Sequence, residues 1–368
     1  MRLIHTADIH LDSKLNANLD KDKAKERKRE LLSTFIKMVD YAEANNISAI
    51  LISGDLFDTR NISALARNTI KDLVSKHPDI KFFYLRGNHD ENTILNAFEE
   101  TPENLFLFTD RWTSYELSEN GKVVLHGVEL TGDNSASVQL QLAPDPAKLN
   151  IVMLHGQEAE ATGNDKTEVI NLKLFRNKGI DYMALGHVHA YKNVSLDGRG
   201  KYVYCGCLEP RGFDELGVHG FVVLDVDEES MTIKDTFIPF CQRRIYEVLA
   251  DVTGLNTTAQ MIGTVRECLK ASNARKEDLV KVILVGDVDV ECEKDTDFIR
   301  YTFEDEFYFL KVYDKTSLKV DPKDFVLDAT LKGEFVRNVL ASKALSDDEK
   351  GEIVRLGLEV LMGGNVEL

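Results

Sequence analysis

The sequence predicts an α/β protein, a four-layer αββα sandwich followed by a small α+β domain and C-terminal helices. Three observations lead there. Short apolar runs alternate with helix-length amphipathic segments through the first part of the chain. Shorter and more tightly spaced apolar runs follow, enough for a second sheet packed on the first. Metal-ligating side chains stand just after the apolar runs, beyond the carboxyl ends of strands, where parallel sheets place their ligand sites.

Residues 3–7 are the first run. Residues 24–45 read as a helix, because Leu31, Leu32, Phe35, Ile36, Met38, Val39 and Ala42 recur at helical spacing. A second run covers 49–53, a second helix 62–76 and a third run 81–85. This βαβαβ order implies parallel strands with right-handed crossovers. Residues 123–126, 149–154, 182–185, 201–205 and 220–225 read as further strands. The polar stretch 132–146 reads as a surface loop, and the Gly/Pro-containing stretch 206–217 as another. After Pro239 the composition shifts. Residues 244–250, 259–270, 280–285 and 308–312 read as a β-α-β-plus-β unit. A helix over 328–340 places Phe335, Val336, Val339 and Leu340 on one side. Ser346, Asp347, Asp348 and Glu349 form a capping box that opens a last helix, with Ile353, Leu356, Val360 and Leu361 on one stripe. The expected division is a core over 1–240, a capping domain over 241–322 and a helical tail over 323–368.

The 368 residues, 43% hydrophobic and 29% charged, have the size and composition of a globular chain with a large core. No run of about 18 apolar residues exists and no signal-peptide pattern opens the chain, so a cytoplasmic protein without a membrane span is expected. The cysteines, at 205, 207, 241, 268 and 292, show no disulfide framework, and Cys205-Gly206-Cys207 reads as small residues near a strand end. A net charge of −17 argues against non-specific binding of nucleic acid over the whole surface. A local phosphate site stays open, because bound divalent ions invert the local field. The basic residues between Lys21 and Arg29 interleave with acids and read as a solvated helix start, with phosphate contact as the second reading.

The chemistry lies in five segments: Asp8-Ile9-His10, Gly54-Asp55-Leu56-Phe57-Asp58, Gly87-Asn88-His89-Asp90, His155-Gly156 and Gly186-His187-Val188-His189. Five of the nine histidines sit in them. His5, His77, His126 and His219 are read as packed or solvated rings. Imidazole and carboxylate are ligands for borderline and hard divalent metals. Delivered from successive strand ends, the set describes a two-metal hydrolytic site, in which a carboxylate bridges the ions; Asp55 is the candidate bridge. Glycine beside the ligands lets backbone turn sharply and pass close to a metal.

Taken together, these segments resemble the calcineurin-like metallophosphoesterase superfamily, and within it the DNA-repair nuclease branch of the SbcD type. His5-Thr6-Ala7-Asp8-Ile9-His10-Leu11, Gly54-Asp55-Leu56-Phe57-Asp58, Arg86-Gly87-Asn88-His89-Asp90 and Leu185-Gly186-His187-Val188-His189 carry the likeness, along with the order of core, cap and helical tail. The resemblance implies that Asp8, His10, Asp55 and His189 hold one metal and that Asp55, Asn88, His155 and His187 hold the other. It implies that His89 stabilises or protonates the leaving oxygen and that Asp58 orients His89. It implies two divalent ions, manganese in this branch, DNA as substrate, and an SbcC-like coiled-coil ATPase as partner. Pairing of two copies through the 62–76 helix is expected by the same analogy. In one place the chain departs from many SbcD proteins: it reads Asp8-Ile9-His10-Leu11-Asp12-Ser13 where they read D-W-H-L-G. The ligands are untouched, but a neighbouring exonuclease subfamily stays open, and Asp12 enters as a minor candidate.

Two rival functions keep the fold. One is a phosphoesterase acting on nucleotides, cyclic nucleotides or phosphoproteins, which has no need of residues 241–322. The other is a non-catalytic scaffold, against which the full ligand set argues. The apolar stripes of the tail also have two readings: folding back on the core, or docking a partner helix, which the resemblance favours.

Overall fold

The computed structural model describes residues 1–13, 19–58, 62–87, 90, 101–132, 134–159, 168–289, 292–319 and 328–361. Two compact units divide the chain, Met1–Arg244 and Ile245–Leu368.

In the first unit β1 (Arg2–Thr6), α1 (Lys21–Ala44), β2 (Ala49–Ser53), α2 (Ala64–Lys76), β3 (Lys81–Leu85) and β4 (Leu105–Leu107) build one half. β5 (Thr113–Glu116), β6 (Val123–Gly127), α3 (Ser135–Val138), β7 (Leu149–His155), β8 (Gln157–Glu158), β9 (Val169–Ile170), β10 (Tyr182–Gly186), β11 (Lys192–Ser195) and β12 (Lys201–Tyr204) build the other. β13 (Gly220–Asp227) and β14 (Thr232–Pro239) return to the first. The sheets run β14-β13-β1-β2-β3-β4 and β11-β12-β10-β7-β6-β5. β1 to β4 are mutually parallel, as are β6, β7, β10 and β12. Antiparallel strands flank the parallel sets: β13 and β14 in one sheet, β5 and β11 in the other.

Strand alternation sorts the core into layers. Leu3, Leu51, Phe83 and Leu85 of the first sheet meet Leu125, Ile151, Met153, Ala184 and Val203 of the second between the sheets. Ile4, Ile50, Ile52 and Phe82 face the other way, onto Leu31, Phe35, Met38 and Val39 of α1 and Ile70 and Val74 of α2. The outer face of the second sheet, with Val152, Leu154, Met183 and Leu185, is covered by Val128, Leu130, Val138, Leu142, Ile170, Phe175 and Ile180. That fourth layer is one short helix, two 3-10 turns and extended chain. It includes part of the stretch expected as a surface loop: Val138, Gln139 and Leu142 are buried, and Trp112 Nε1 donates to the Val138 carbonyl at 2.8 Å. Polar spacing had concealed two inward apolar anchors, Val138 and Leu142, while Leu140 between them is 61% exposed.

The basic start of α1 is solvated at Lys21, Lys25 and Arg29, and one residue, Arg27, departs from that reading. Asp20 caps the helix, accepting from the backbone of Asp22 and Lys23. Arg27 is 1% exposed and pairs with Glu30 and Glu209, donating also to the Pro210 carbonyl at 2.8 Å.

The second unit contains β15 (Ile245–Asp251), α4 (Thr258–Ser272), β16 (Leu279–Asp289), α5 (Thr296–Phe303), β17 (Phe309–Lys319), α6 (Leu331–Ala341) and α7 (Asp347–Leu361). Its three strands are all parallel, so α5, absent from the sequence reading, serves as a second crossover. Met261, Val265 and Leu269 of α4 and Ile299 and Phe303 of α5 cover Val248, Ala250, Val280, Val282 and Leu284. α6 and α7 meet through Val336, Val354 and Leu358. The ring of Phe335 lies where a Cβ on Gly357 would stand, so the helices approach closely there. The buried face of α7 is therefore Val354 and Leu358. Of the expected stripe, Ile353, Val360 and Leu361 face outward, 37%, 57% and 39% exposed, while Leu356 is half-buried. No helix among the described residues is long and apolar enough to cross a membrane.

Candidate metal centre

The loops that leave β1 and β2 are zipped together by backbone. Asp8 N–H donates to Gly54 O at 3.1 Å, His10 N–H to Asp55 O at 2.9 Å and Leu11 N–H to Leu56 O at 2.9 Å. This pairing holds Asp8, His10 and Asp55 at one edge. Asp8 then ties that edge to the second sheet, accepting the His187 backbone N–H on both carboxylate oxygens at 2.9 and 3.0 Å. Asp8, His10, Asp55 and His187 all have positive φ, 52°, 48°, 52° and 96°. Left-handed backbone is uncommon outside glycine, and its concentration at one site marks a constraint that the surrounding structure imposes.

Close approach explains two glycines. A Cβ on Gly54 would collide with the His155 ring, and one on Gly87 with the Asp55 carboxylate. The turn that carries Gly87 is fixed by Asp90, which accepts from the backbone of Gly87, Leu56 and Phe57 at 3.1, 3.2 and 2.9 Å. Burial and the neighbouring Asp55 push the Asp90 carboxyl up to about 6, against those backbone donors.

Three imidazoles are oriented alike. His10 Nδ1 faces Asp58 Oδ1 at 3.1 Å, His189 Nδ1 faces Glu215 Oε1 at 2.6 Å, and His155 Nδ1 faces the Ser53 carbonyl at 2.9 Å. Each acceptor holds a proton at Nδ1, which makes Nε2 the nitrogen that a metal can take. Those Nε2 atoms point into the site. His10 Nε2 and His189 Nε2 are 3.2 Å apart, and His155 Nε2 is 3.4 Å from Asp55 Oδ2. Two ring nitrogens at this distance need a proton or a metal ion between them. Two ligands at about 2.0–2.1 Å from one ion stand roughly 3.0–3.4 Å apart, so the spacing fits a shared metal. Asp8, His10 and His189 offer ligand atoms within 4.8 Å of one another, as do Asp8, Asp55 and His155, and His155, Glu168 and His187.

The electrostatics ask for positive charge in the same place. Burial opposes protonation of His155, yet Asp55, Asp8 and Glu168 outweigh it and push the ring up to about 10. Burial lowers His10 and His187, the former against its Asp58 hydrogen bond. Burial also opposes the His189 cation, but Glu215 and Asp8 raise that ring. Glu215 itself is held down at about 2 by His189 and Arg211, despite its burial. Arg211 links the two orienting carboxylates, donating to Asp58 Oδ1 at 3.4 Å and to Glu215 Oε1 at 3.3 Å. Carboxylates behind ligating histidines fix the tautomer and raise ligand basicity.

The structure thus brings together Asp8, His10, Asp55, His155, His187 and His189. Asn88 and His89 lie outside the described residues. Asp58, expected beside His89, stands behind His10. Asp12 accepts from Ser63 N–H at 2.7 Å and Ser63 Oγ at 3.1 Å, just where α2 begins, a structural task. Of the histidines read as packed or solvated, His5 is buried against Tyr182 OH at 2.9 Å, His126 against Ser114 and Asn150, and His219 against Cys207, while the half-buried His77 meets the Leu73 carbonyl. Cys205 and Cys207 are free and buried, and burial lifts both thiols well above their ordinary range. Glu215 and Arg211 were missed. Their only signal was a pair of opposite charges inside a glycine-bounded loop that follows a strand. Glu168 gave no signal at all.

Comparison with known proteins gives the arrangement its place. The profile of the calcineurin-like phosphoesterase family matches residues 1–191. The chain is 26% identical over 235 residues to the uncharacterized metallophosphoesterase YhaO of Bacillus subtilis, which covers 61% of this chain and 57% of that protein. It is 26% identical over 253 residues to the DNA double-strand break repair protein Mre11 of Methanopyrus kandleri, 62% of this chain and 54% of the other. With the Mre11 of Sulfurisphaera tokodaii it shares 25% identity over 305 residues, 77% of this chain and 73% of that one. The chain therefore spans a little over half the length of the first two relatives. The matched segment contains Asp8, His10, Asp55, His155, His187 and His189, whose lone pairs and carboxylates converge between the sheets' ends. This chain belongs to the calcineurin-like phosphoesterase family.

Proposed function

We propose that this protein is a Mn²⁺-dependent DNA nuclease, a phosphodiesterase with exonuclease and endonuclease activity that works in the cytoplasm with an SbcC-like coiled-coil ATPase in DNA repair. The observation that carries the metal chemistry is the set of three Nδ1-anchored imidazoles whose Nε2 atoms converge on Asp8 and Asp55. Likeness to two archaeal double-strand break repair proteins, in one case over 77% of the chain, supports DNA as the substrate.

Asp8, His10, Asp55 and His189 would hold one ion, and Asp55, Asn88, His155 and His187 the other. When bound, such a pair supplies Lewis-acid activation of water and of a phosphoryl oxygen. Asp58, Glu215 and the Ser53 carbonyl keep the three rings in the ligating tautomer. His89 would stabilise or protonate the leaving oxygen. The outward apolar face of α7, Ile353, Val360 and Leu361, suits a helix-in-groove contact with the ATPase coiled coil. Pairing of two copies would use α2, whose Leu65 is exposed.

The test is a nuclease assay on defined duplex ends, with and without Mn²⁺, beside a nitrophenyl phosphodiester, a nucleotide and a phosphopeptide. Cleavage of the DNA and the reporter in Mn²⁺ is expected. Turnover of the nucleotide or phosphopeptide alone would move the protein to the phosphatase side of the family. No turnover of any substrate with metal bound would make it a scaffold.

A further inference from the structure

Just beyond His155, a two-strand pairing brings a later segment, at Glu168, beside the site. β8 pairs in parallel with β9, and Gln157 N–H donates to the Glu168 carbonyl at 3.1 Å. Gly156, at φ 150°, makes room for this approach, since a Cβ there would collide with the same carbonyl. Glu168 is itself left-handed, at φ 51°, and only 8% exposed. Its Oε2 lies 3.8 Å from His155 Nε2. One ligand atom each from Glu168, His155 and His187 fall within 4.8 Å of one another. A carboxylate is thus carried, on strained backbone and by a dedicated two-strand pairing, to the two histidines expected at the second ion.

We propose that Glu168 is a further carboxylate ligand of the second divalent ion, beside His155 and His187. The proposal rests on the two-metal reading above. Asp8 already gives the first ion a carboxylate of its own, beside the bridging Asp55. With Glu168 the second ion gains the same, and the imidazole-rich half of the centre acquires a hard oxygen donor. Hard donors favour Mn²⁺ and Mg²⁺ relative to Zn²⁺. A third carboxylate also balances more of the combined charge of two divalent ions, which strengthens binding of the second. Glu168 belongs to none of the segments through which the site was legible, so this chain's centre would differ in charge from one built on those segments alone.

The test is metal binding by the full chain without substrate, followed by calorimetry with Mn²⁺ and by the electron spin resonance of the coupled Mn²⁺ pair. The wild type should bind two ions. Glu168→Gln, nearly equal in size, should leave the tighter event unchanged and weaken the other by about tenfold or more, with loss of the coupled signal. Glu168→Asp, which keeps the charge and suits left-handed backbone, should recover part of that affinity. Two unchanged binding events in Glu168→Gln would overturn the proposal, as would equal weakening by Gln and Asp, or a loss of both ions together with a lowered Tm. A wild type that binds fewer than two ions would instead remove the two-metal reading beneath it.

Discussion

Asp55 is the residue on which most of the site converges. Its Oδ2 stands 3.4 Å from His155 Nε2 and 3.7 Å from His10 Nε2, so one carboxylate reaches both halves of the centre. Asp55→Asn should lower phosphodiester hydrolysis by far more than tenfold at saturating Mn²⁺, because the amide cannot balance two cations; activity within about tenfold of the wild type would count against a shared ligand. Glu215 acts one step behind. Glu215→Gln removes the acceptor charge from His189 Nδ1, and calorimetry should show Mn²⁺ affinity reduced about 10–100-fold with the fold retained. His5 is a residue of stability rather than of chemistry. Burial lowers its pKa to about 3 from 6.5. Between those values the unfolded chain takes up a proton that the folded chain refuses, so the His5 contribution is present above about pH 6.5 and is lost as pH falls. The slope is up to about 1.4 kcal/mol per pH unit. His5→Gln should therefore cost Tm at pH 7 and recover relative to the wild type at pH 5. A Tm difference that stays constant between the two pH values would show that the ring does not titrate in this window.

At the scale of elements, the site is a set of strand ends held by their loops. The β1 and β2 loops exchange backbone hydrogen bonds, and Asp90 stitches the β3 turn to the β2 loop. A single methyl group on this turn can disturb that geometry by pressing on the candidate bridge. Gly87→Ala would drive its Cβ into the Asp55 carboxylate. It should reduce Mn²⁺ binding and turnover by at least about tenfold while the far-ultraviolet circular dichroism keeps its wild-type shape; unchanged binding would mean that the loop relaxes. The βαβαβ elements around this turn were legible in the sequence because α1 and α2 each bury one stripe and β2 and β3 are short apolar runs. The edge strands β5, β11 and β14 were not, since their residues alternate or lie largely exposed and carry little apolar signal.

For the whole molecule, the tail decides between two readings. Val336, Val354 and Leu358 form a cluster of their own, and Ile353, Val360 and Leu361 remain exposed. α7 also packs against β17. Ending the chain after residue 327 should leave the rest folded and able to cleave a small phosphodiester in Mn²⁺, yet unable to co-purify with the SbcC-like ATPase. A stable truncation that still captures the ATPase would refute docking through the tail. Aggregation, or a Tm several degrees lower, would mean that these helices complete a core.

Apolar periodicity and the Asp and His beside glycines are local properties, so the parallel βαβ order and the strand ends at which Asp8, His10, Asp55, His155, His187 and His189 stand were legible in the sequence. Periodicity also located α6 and α7, but it could not choose between two apolar faces on α7; the close approach of Phe335 over Gly357 did. Pairing over distance arises only on folding. Glu215 behind His189, Arg211 between Asp58 and Glu215, and Glu168 beside His155 and His187 each join residues from separate loops. A charged residue in a loop looks the same in sequence whether it is solvated or buried against a ligand. Its role exists only once folding has closed the loop and removed the water around it.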